Sequence, residues 1–351
     1  MAVNLRLLAV AGAIAAGAAL GVGTAVAQQQ DFSKIELDVV KVTDNISMLV
    51  GAGGNTTIQF GPEGVMVVDT SYAPMSAKIL AQIKKLSNQP IRYVVDTHVH
   101  ADHIGGNSAI AKAGRTRAGG NVVGDLGSGA TSQAEIIAHE NVLTRLSAPP
   151  AAGQEAVPFA DWPTETFIGR KKEMIFNGEA IQILHQEAAH TDGDSVVMFR
   201  RNDVIATGDL FTTTMYPLID EANGGTINGY INALNAILEL TVASNVNEGG
   251  TMVIPGHGRL SDEQDVIEYR DMVTIVRDRI REYVKRGMTL QEVKARKPTF
   301  DWDRRYGDGF VKPDALVDVV YKQMAAEKAA AAPAVPRGRT QNQSRNKGSA
   351  Q

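Results

Sequence analysis

Short runs of apolar residues, separated by glycine, proline and asparagine, dominate the first third of the chain after its N-terminal segment. Runs this short and this rich in β-branched residues predict strands, and their close spacing predicts an antiparallel meander. Apolar residues at helical spacing predict a helix over residues 76–86, and a second helix is expected near residues 108–112. The strands predicted in this part are residues 39–42, 46–50, 56–60, 65–68 and 91–95.

A strand followed by a polar, glycine-flanked loop recurs further along the chain. The strand at residues 91–95 precedes a histidine-rich loop, and later strands precede His190, Asp209 and His257. Rigid strands that end at one edge of a sheet commonly place functional loops there. We therefore expect these four strand ends to bring polar side chains together. The later predicted strands are residues 135–138, 181–184, 196–199, 204–206 and 252–254.

Beyond the last of these loops the pattern becomes helical. A Ser-x-x-Gln capping box at residues 261–264 is expected to open a helix with one apolar stripe. A Thr-x-x-Glu box at residues 289–292 caps a second, short helix, and Pro313 starts a third that reaches about Lys328. Residues 261–328 are therefore predicted to form a C-terminal helical extension.

The two ends of the chain differ from its body. Residues 1–27 combine a positive Arg6, an apolar stretch and an Ala-x-Ala pattern, which is typical of a cleaved secretory signal; an uncleaved membrane anchor is the alternative. Residues 329–351 offer almost no core-forming side chains, which predicts a disordered tail. Residues 28–328 are expected to form one domain. The protein is expected to be periplasmic or secreted, with no stable membrane association after signal cleavage.

Composition limits the chemistry that the chain can perform. The chain has 351 residues, of which 44% are hydrophobic, and a formal net charge of −4, as in an ordinary globular protein. Without Arg6 and the four basic residues after Lys328, the body carries about −9, which argues against nucleic acid as a partner. There is no cysteine, so any metal has to be held by histidine, aspartate or glutamate. The oligomeric state is left open.

The densest cluster of metal-competent side chains lies in residues 97–106, which contain the run His-x-His-x-Asp-His. Of the chain's 7 histidines, His98, His100 and His103 fall in six consecutive positions together with Asp102. Such a run is a poor core, a poor turn and a poor helix. Imidazole and carboxylate are good ligands for zinc and its first-row neighbours, so the run indicates a metal site.

Together with His190, Asp209 and His257, this run resembles the ligand set of the metallo-β-lactamase superfamily of binuclear metallohydrolases. The resemblance covers residues 39–257, in the expected order and with the ligands at strand ends. It implies an α/β fold, a four-layer αββα sandwich of two mixed β-sheets flanked by helices, with the site at one edge.

The resemblance also implies a role for each ligand. Two Zn²⁺ ions are expected, with a hydroxide between them as the nucleophile. Asp102 is expected to be catalytic as well, by relaying a proton to the leaving group. Because no thiolate is present, iron or manganese would also suit this set of nitrogen and oxygen ligands. The implied ligands are His98, His100 and His190 for the first metal, Asp102, His103 and His257 for the second, and Asp209 as the bridge.

Plainer interpretations of these residues are weaker. A structural zinc site would be closed by four ligands, whereas seven ligands indicate two metals with open positions. An isolated His190 or His257 would more often be a buried core histidine, but both lie in glycine-flanked loops at strand ends. Four further residues are weaker candidates. His139 is expected to line the site, and His185 to support a ligand or lie in the core. Asp192 and Asp194 are expected to shape their loop or hold a ligand histidine.

The expected function is a secreted binuclear zinc hydrolase that cleaves an ester, lactone, thioester or amide-type bond of a small molecule. True β-lactamases of the superfamily generally carry Cys or Ser where this chain has Asp209, so a β-lactamase proper is an alternative rather than the first choice. An iron-dependent oxidoreductase of the same fold and a non-catalytic metal-binding protein are the others. We expect substrate contacts from Phe211, Tyr216 and Asn223, although plain loop packing would explain the same residues.

Overall fold

The computed structural model describes residues 31–115, 133–150, 155–246 and 249–331. The predicted signal at residues 1–27 and most of the predicted tail, residues 332–351, lie outside the described residues. In the part of the chain that is described, no helix is both long enough and apolar enough to cross a bilayer.

Seven strands form the first sheet, and their order in the sheet follows their order in the chain. The first four pair antiparallel, as the predicted meander requires, and the last four pair parallel. The strands are β1 (Asp38–Lys41), β2 (Ile46–Val50), β3 (Thr56–Gly61), β4 (Gly64–Val68), β5 (Ile91–Val95), β6 (Glu135–His139) and β7 (Glu165–Phe167).

The second sheet has five strands in the order β12-β11-β10-β9-β8, antiparallel except for the parallel pair β11 and β12. The sequence analysis missed β7 and β8. β8 lies at the edge of the sheet and begins with three charged residues, Lys171 to Glu173, so only a short apolar run of three residues marks it. The strands are β8 (Lys171–Phe176), β9 (Glu179–His185), β10 (Ser195–Phe199), β11 (Val204–Ala206) and β12 (Met252–Ile254).

Helices cover the outer faces of both sheets. The sequence analysis did not predict the helices at residues 101–104, 140–147, 227–240 and 303–306, and the first of them lies within the histidine motif that was judged a poor helix. The helix at residues 227–240 contains three asparagines and one glycine, which weaken its helical signal although packing holds it in place. The helices are α1 (Ser76–Leu86), α2 (Ala101–Ile104), α3 (Asn107–Ala113), α4 (Glu140–Ser147), α5 (Ile227–Leu240), α6 (Glu263–Lys285), α7 (Leu290–Ala295), α8 (Asp303–Tyr306) and α9 (Pro313–Ala331).

The ends of the C-terminal helices correct two predictions and confirm one. The capping residue of α6 is Asp262 rather than Ser261, because Ser261 is paired through its backbone with Val253 of β12. The capping box that opens α7 is confirmed. Residues 329–331, expected in the disordered tail, form the last turn of α9.

Alternation within the strands sorts the side chains into separate apolar layers. In β4, Met66 and Val68 pack between the two sheets, whereas Val65 and Val67 pack against α1 and α3. This period of two follows from strand geometry. A third layer lies between the second sheet and α5, α6 and α9. The structure therefore confirms the four-layer αββα sandwich with a C-terminal helical region.

The buried face of α6 should contribute strongly to stability. Ile280 is fully buried on this helix, so Ile280→Ala leaves a cavity and should lower the free energy of unfolding by about 2–5 kcal/mol. Ile275 lies on the same helix but is 41% exposed, and Ile275→Ala should cost less than about 1 kcal/mol. Urea unfolding of both variants measures the difference, and equal losses would contradict this packing.

Candidate metal centre

Loops that follow or join strands meet at one edge of the two sheets. The histidine motif follows β5, His190 lies between β9 and β10, Asp209 follows β11, and His257 follows β12. The backbone also joins the sheets here, since Ser195 N donates to Thr97 O at 2.8 Å. The strand-end placement expected from the sequence thus brings the predicted ligands to one place.

The first ligand group is almost fully buried. Its four side chains each offer one potential ligand atom, and these atoms lie within 4.8 Å of one another. His98 and His190 are completely shielded from solvent, while His100 and Asp209 each remain 7% exposed. Three imidazoles and a carboxylate are a donor set that suits zinc. The group consists of His98, His100, His190 and Asp209.

The second ligand group consists of Asp102, His103 and His257, and it lies beside the first. The Nε2 atoms of His103 and His257 are 3.4 Å apart. Asp102 Oδ2 lies 3.4 Å from His257 Nε2 and 3.8 Å from His103 Nε2. Two imidazole nitrogens that face each other beside a carboxylate can all bind one cation placed between them.

Asp209 lies between the two groups and turns one carboxylate oxygen to each. Oδ2 faces the first group, 4.0 Å from His98 Nε2 and 3.9 Å from His190 Nε2. Oδ1 faces the second group, 3.1 Å from His103 Nε2 and 3.3 Å from His257 Nε2. A carboxylate with its two oxygens directed in this way is arranged to join two metal ions.

Three of the atoms that would face the metals lack a hydrogen-bond partner. Among the described residues, Nε2 of His98, Nε2 of His190 and Oδ1 of Asp209 are buried without a hydrogen bond. Oδ1 nevertheless lies within ion-pair distance of His103 Nε2 and His257 Nε2. Buried polar atoms are almost always paired, and metal ions would satisfy all three. The residues present therefore fit the metals expected from the sequence.

Two glycines lie against the ligands and leave no room for a side chain. A Cβ on Gly54 would overlap the ring of His103, and a Cβ on Gly256 would overlap Oδ1 of Asp209. The backbone of Gly54 also donates to Asp102 O at 2.9 Å. The loop before β3, with Gly54, is thus packed directly onto the second group, and the loop after β12, with Gly256, is packed onto the carboxylate of Asp209.

The buried imidazoles of the motif are held through their second ring nitrogens. His103 Nδ1 lies 2.7 Å from Asp69 Oδ2, and His98 Nδ1 lies 2.9 Å from the hydroxyl of Thr97. Asp69 also accepts from the backbone N and the hydroxyl of Thr97, both at 2.8 Å. Partners of this kind fix the ring orientation of metal-binding histidines, so Asp69 holds two parts of the motif at once.

His100 is held from another direction. Its Nε2 contacts Asp220 Oδ2 at 2.8 Å, which leaves Nδ1 as the nitrogen available to a metal. The sequence analysis missed both Asp69 and Asp220. Asp69 follows β4 directly, so the strand-end signal that identified the ligands also applies to it. Asp220 carries no such signal, because it lies 120 residues from its partner in a loop without a recognisable pattern.

In the metal-free site the carboxylate of Asp209 and the imidazoles of the second group carry opposite charges. Burial alone would raise the pKa of Asp209, but the imidazoles of His257 and His103 hold it well below its ordinary value. Burial alone would lower the pKa of His257, but the carboxylates of Asp209 and Asp102 raise it to about 10. In the first group, burial lowers the pKa of His98 well below its usual range. His98 is therefore neutral at pH 7, whereas His257 carries a proton.

The prediction that Phe211 and Tyr216 contact substrate is wrong. Both are buried in the apolar layer under α6. The Phe211 ring packs edge-on against Tyr269 at 5.5 Å, and the hydroxyl of Tyr216 donates to Asp303 Oδ1 at 2.8 Å. The loop after β11 turns into the core, where the C-terminal helices provide partners that sequence proximity to the ligands does not reveal.

Asn223 is also buried, so its predicted contact with substrate is not supported. Its side-chain nitrogen donates to Asp220 Oδ2 at 2.6 Å, which makes it a support for that carboxylate. Asp194 shapes the loop that carries His190, as expected, by accepting from the backbone N and the hydroxyl of Thr191. These side chains hold the first ligand group in place.

His139 and His185 form a separate pair outside both ligand groups. Their rings are stacked with centroids 3.6 Å apart and planes within 2°. Nδ1 of His139 accepts from Asn141 N. Burial, and then the neighbouring His185, lower the pKa of His139 to about 4. His139 is thus a neutral, buried side chain at the end of β6 rather than a ligand.

The second group is the open side of the site. The side chains of Asp102 and His257 are 21% and 19% exposed to solvent. Tyr72, which the sequence analysis missed, lies next to them: a Cβ on Gly53 would touch both the Tyr72 ring and Asp102 O. Burial, and then the carboxylates of Asp102 and Asp209, raise the pKa of Tyr72. A protonated phenol therefore stands beside the side from which a substrate can approach.

Replacing Asp220 by asparagine should weaken zinc binding by the first group. Asp220→Asn keeps the shape of the side chain but removes the charge that orients His100, and such a loss should lower metal affinity about 10–100-fold. Titration of metal-free protein with Zn²⁺ against a chromophoric chelator measures the affinity. Asp318→Asn, at a surface pair with Lys294, is the control and should bind like the wild type. Unchanged affinity in Asp220→Asn would refute this role.

Zinc binding at pH 7 should release protons from the second group. His257, with a pKa of about 10 in the metal-free site, is protonated at pH 7 and has to lose that proton to bind a metal. The affinity of the second group should therefore fall as the pH drops. Calorimetry of Zn²⁺ binding in two buffers with different ionisation enthalpies measures the release. Heats of binding that do not depend on the buffer would be evidence against it.

Two named enzymes are similar in sequence to this chain. A linear primary-alkylsulfatase of Pseudomonas sp. (strain ATCC 19151) is 23% identical over 258 residues, which cover 66% of this chain and 47% of that protein. A metallo-beta-lactamase type 2 of Bacillus sp. (strain 170) is 23% identical over 214 residues, which cover 60% of this chain and 69% of that one. The chain thus spans about half the length of the alkylsulfatase that it matches.

Solved structures share the fold. The sec-alkylsulfatase Pisa1 from Pseudomonas sp. superposes with a TM-score of 0.59 at 15% identity, covering 82% of this chain and 50% of that one. A metallo-beta-lactamase from Pontibacter korlensis gives a TM-score of 0.50 at 17% identity, covering 68% and 99%. The family model described as the Metallo-beta-lactamase superfamily matches residues 50–257, which is more than half of the chain and includes every predicted ligand. The chain belongs to the metallo-beta-lactamase superfamily.

Proposed function

We propose that the protein is a binuclear zinc hydrolase, exported to the periplasm or secreted, that cleaves an ester, lactone, thioester or amide-type bond in a small molecule. The observation that carries the proposal is the position of Asp209, which turns Oδ2 to the first ligand group and Oδ1 to the second. Superfamily membership supports hydrolysis as the reaction class, and the composition of residues 1–27 supports export.

The ligand set leaves coordination positions open for water and substrate. Three protein ligands for each ion and one shared carboxylate would give each zinc four protein ligands, and catalytic zinc can expand to five, which would admit a water or a substrate atom. Two bound zinc ions would supply Lewis acidity and would lower the pKa of a water held between them. We favour zinc because hydrolysis needs no redox change, although nitrogen and oxygen ligands also suit iron and manganese.

Asp102 is the residue that we propose for proton transfer. Burial alone would raise its pKa, but His103 and His257 lower it to about 2, so the carboxylate is ionised at neutral pH. Its side chain is 21% exposed, which places it on the open side of the site. An ionised carboxylate there can accept a proton from the attacking water and deliver it to the leaving group.

The relatives indicate which bonds to test first. Similarity to the alkylsulfatase supports sulfate esters, and similarity to the Bacillus enzyme supports β-lactams. Asp209, in place of the Cys or Ser typical of true β-lactamases, favours esters and lactones over β-lactams. A substrate on the open side would approach Tyr72, whose protonated hydroxyl is available as a hydrogen-bond donor.

Loss of Asp209 should abolish both paired metal binding and hydrolysis. Asp209→Ala removes the carboxylate shared by the two groups, so we expect one bound zinc or fewer and a fall in activity of more than about 100-fold. Zinc-loaded proteins are assayed on carboxylic esters, lactones, thioesters, β-lactams and sulfate esters, and metal content is measured by mass spectrometry. Asp271→Ala, at an exposed position of α6, is the matched control.

The outcomes separate the alternatives. Full activity and two zinc ions in Asp209→Ala would contradict the bridge. Two zinc ions in the wild type with no hydrolysis of any substrate would favour a non-catalytic metal-binding protein. Purification with two irons and redox activity would favour an oxidoreductase of the same fold.

A further inference from the structure

The C-terminal helix α9 is hydrogen-bonded to a turn that carries no ligand itself. Gln323 Oε1 accepts from Ile227 N at 2.9 Å, and Gln323 Nε2 donates to Glu221 Oε1 at 3.2 Å and to Gly225 O at 3.5 Å. Ile227 is the first residue of α5, so its N–H is one of the helical donors that have no partner within the helix. A single amide thus ties both ends of residues 221–227 to α9.

The same turn, together with Asp220 at its start, contacts two histidines of the first ligand group, His100 and His190. Asp220 accepts from the backbone N of Ala222 and of Asn223, while its Oδ2 contacts His100 Nε2 at 2.8 Å. Asp220 N donates to His190 O at 3.0 Å. The turn is tightly fitted, since a Cβ on Gly225 would overlap the carbonyl of His190.

A small movement of this turn would therefore change the site. The carboxylate of Asp220 fixes the ring of His100 and so determines where Nδ1 points. Metal affinity depends steeply on how well such partners hold the ligand ring. α9 itself is anchored independently of Gln323, through the buried Leu316, Val320 and Met324, so its amide is free to act on the turn rather than to hold the helix.

We propose that Gln323 is a positioning residue for the first metal: it holds residues 220–227 so that Asp220 orients His100. This inference rests on the proposed metal centre. It gives the C-terminal helical extension a role in the site, although the helix contributes no ligand and lies on the far side of the turn. Lys322 supports the same contact, because its amine lies 2.7 Å from Glu221 Oε2.

The test is Zn²⁺ titration of the full-length, metal-free protein. Gln323→Met keeps the length of the side chain but removes the amide, and it should weaken zinc binding by the first group about three- to tenfold, less than direct loss of the Asp220 charge. Lys328→Met is the control. It removes a contact between α9 and Val284 O at 2.7 Å but does not touch the turn, and it should bind zinc like the wild type.

A double-mutant cycle shows whether Gln323 acts through Asp220. If it does, adding Gln323→Met to Asp220→Asn should produce little further loss of zinc affinity, because the carboxylate that the amide positions is already gone. If Gln323→Met only loosened the fold, it would lower zinc affinity by the same factor in the wild type and in Asp220→Asn. That result would overturn the inference.

The zinc content of the wild type separates failure of the proposed metal centre from failure of the proposed role of Gln323. If it binds fewer than two zinc ions, the proposed metal centre fails. If it binds two and Gln323→Met titrates like the wild type, the metal centre stands and the positioning role of Gln323 is wrong.

Discussion

The shared carboxylate of Asp209 is the interaction on which the rest of the site depends. It is only 7% exposed, and four imidazoles from three separate loops lie within 4.0 Å of its oxygens. A buried charge is costly unless it is compensated, and here the compensating groups are the histidines that would bind metal. Protons on the second group offset the charge when metal is absent. Two cations would replace those protons, which links metal binding to pH.

The fold holds this carboxylate from both sides. Gly256 packs against Oδ1, and the hydroxyl of Tyr230 on α5 donates to the backbone oxygen of Asp209 at 2.9 Å. Tyr269 on α6 packs on the ring of Phe211, two residues further along. The C-terminal helices therefore do more than cover a sheet, because they contact the loop that carries Asp209 and, through Gln323, the turn whose Asp220 contacts His100.

The ligands are predictable from sequence because their signal is local. Metal-competent side chains directly follow short apolar strands, and the apolar runs themselves predict most strand bounds. The four-layer sandwich is what the resemblance to the superfamily implies. The strand-end pattern does not identify Asp220, because its contact with His100 spans 120 residues and exists only in the folded chain. The predicted substrate contacts of Phe211 and Tyr216 are wrong for a related reason. Both residues follow Asp209 closely, but partners on distant helices determine the direction of their side chains. Local pattern identifies what binds the metal, whereas tertiary packing decides what positions it.

The most direct test of the central claim is the anomalous scattering of zinc in crystals of the zinc-loaded protein. The account predicts two peaks about 3.5–4 Å apart, one among His98, His100 and His190 and one among Asp102, His103 and His257, with the carboxylate of Asp209 between them. A single peak, or two peaks that do not share Asp209, would contradict it.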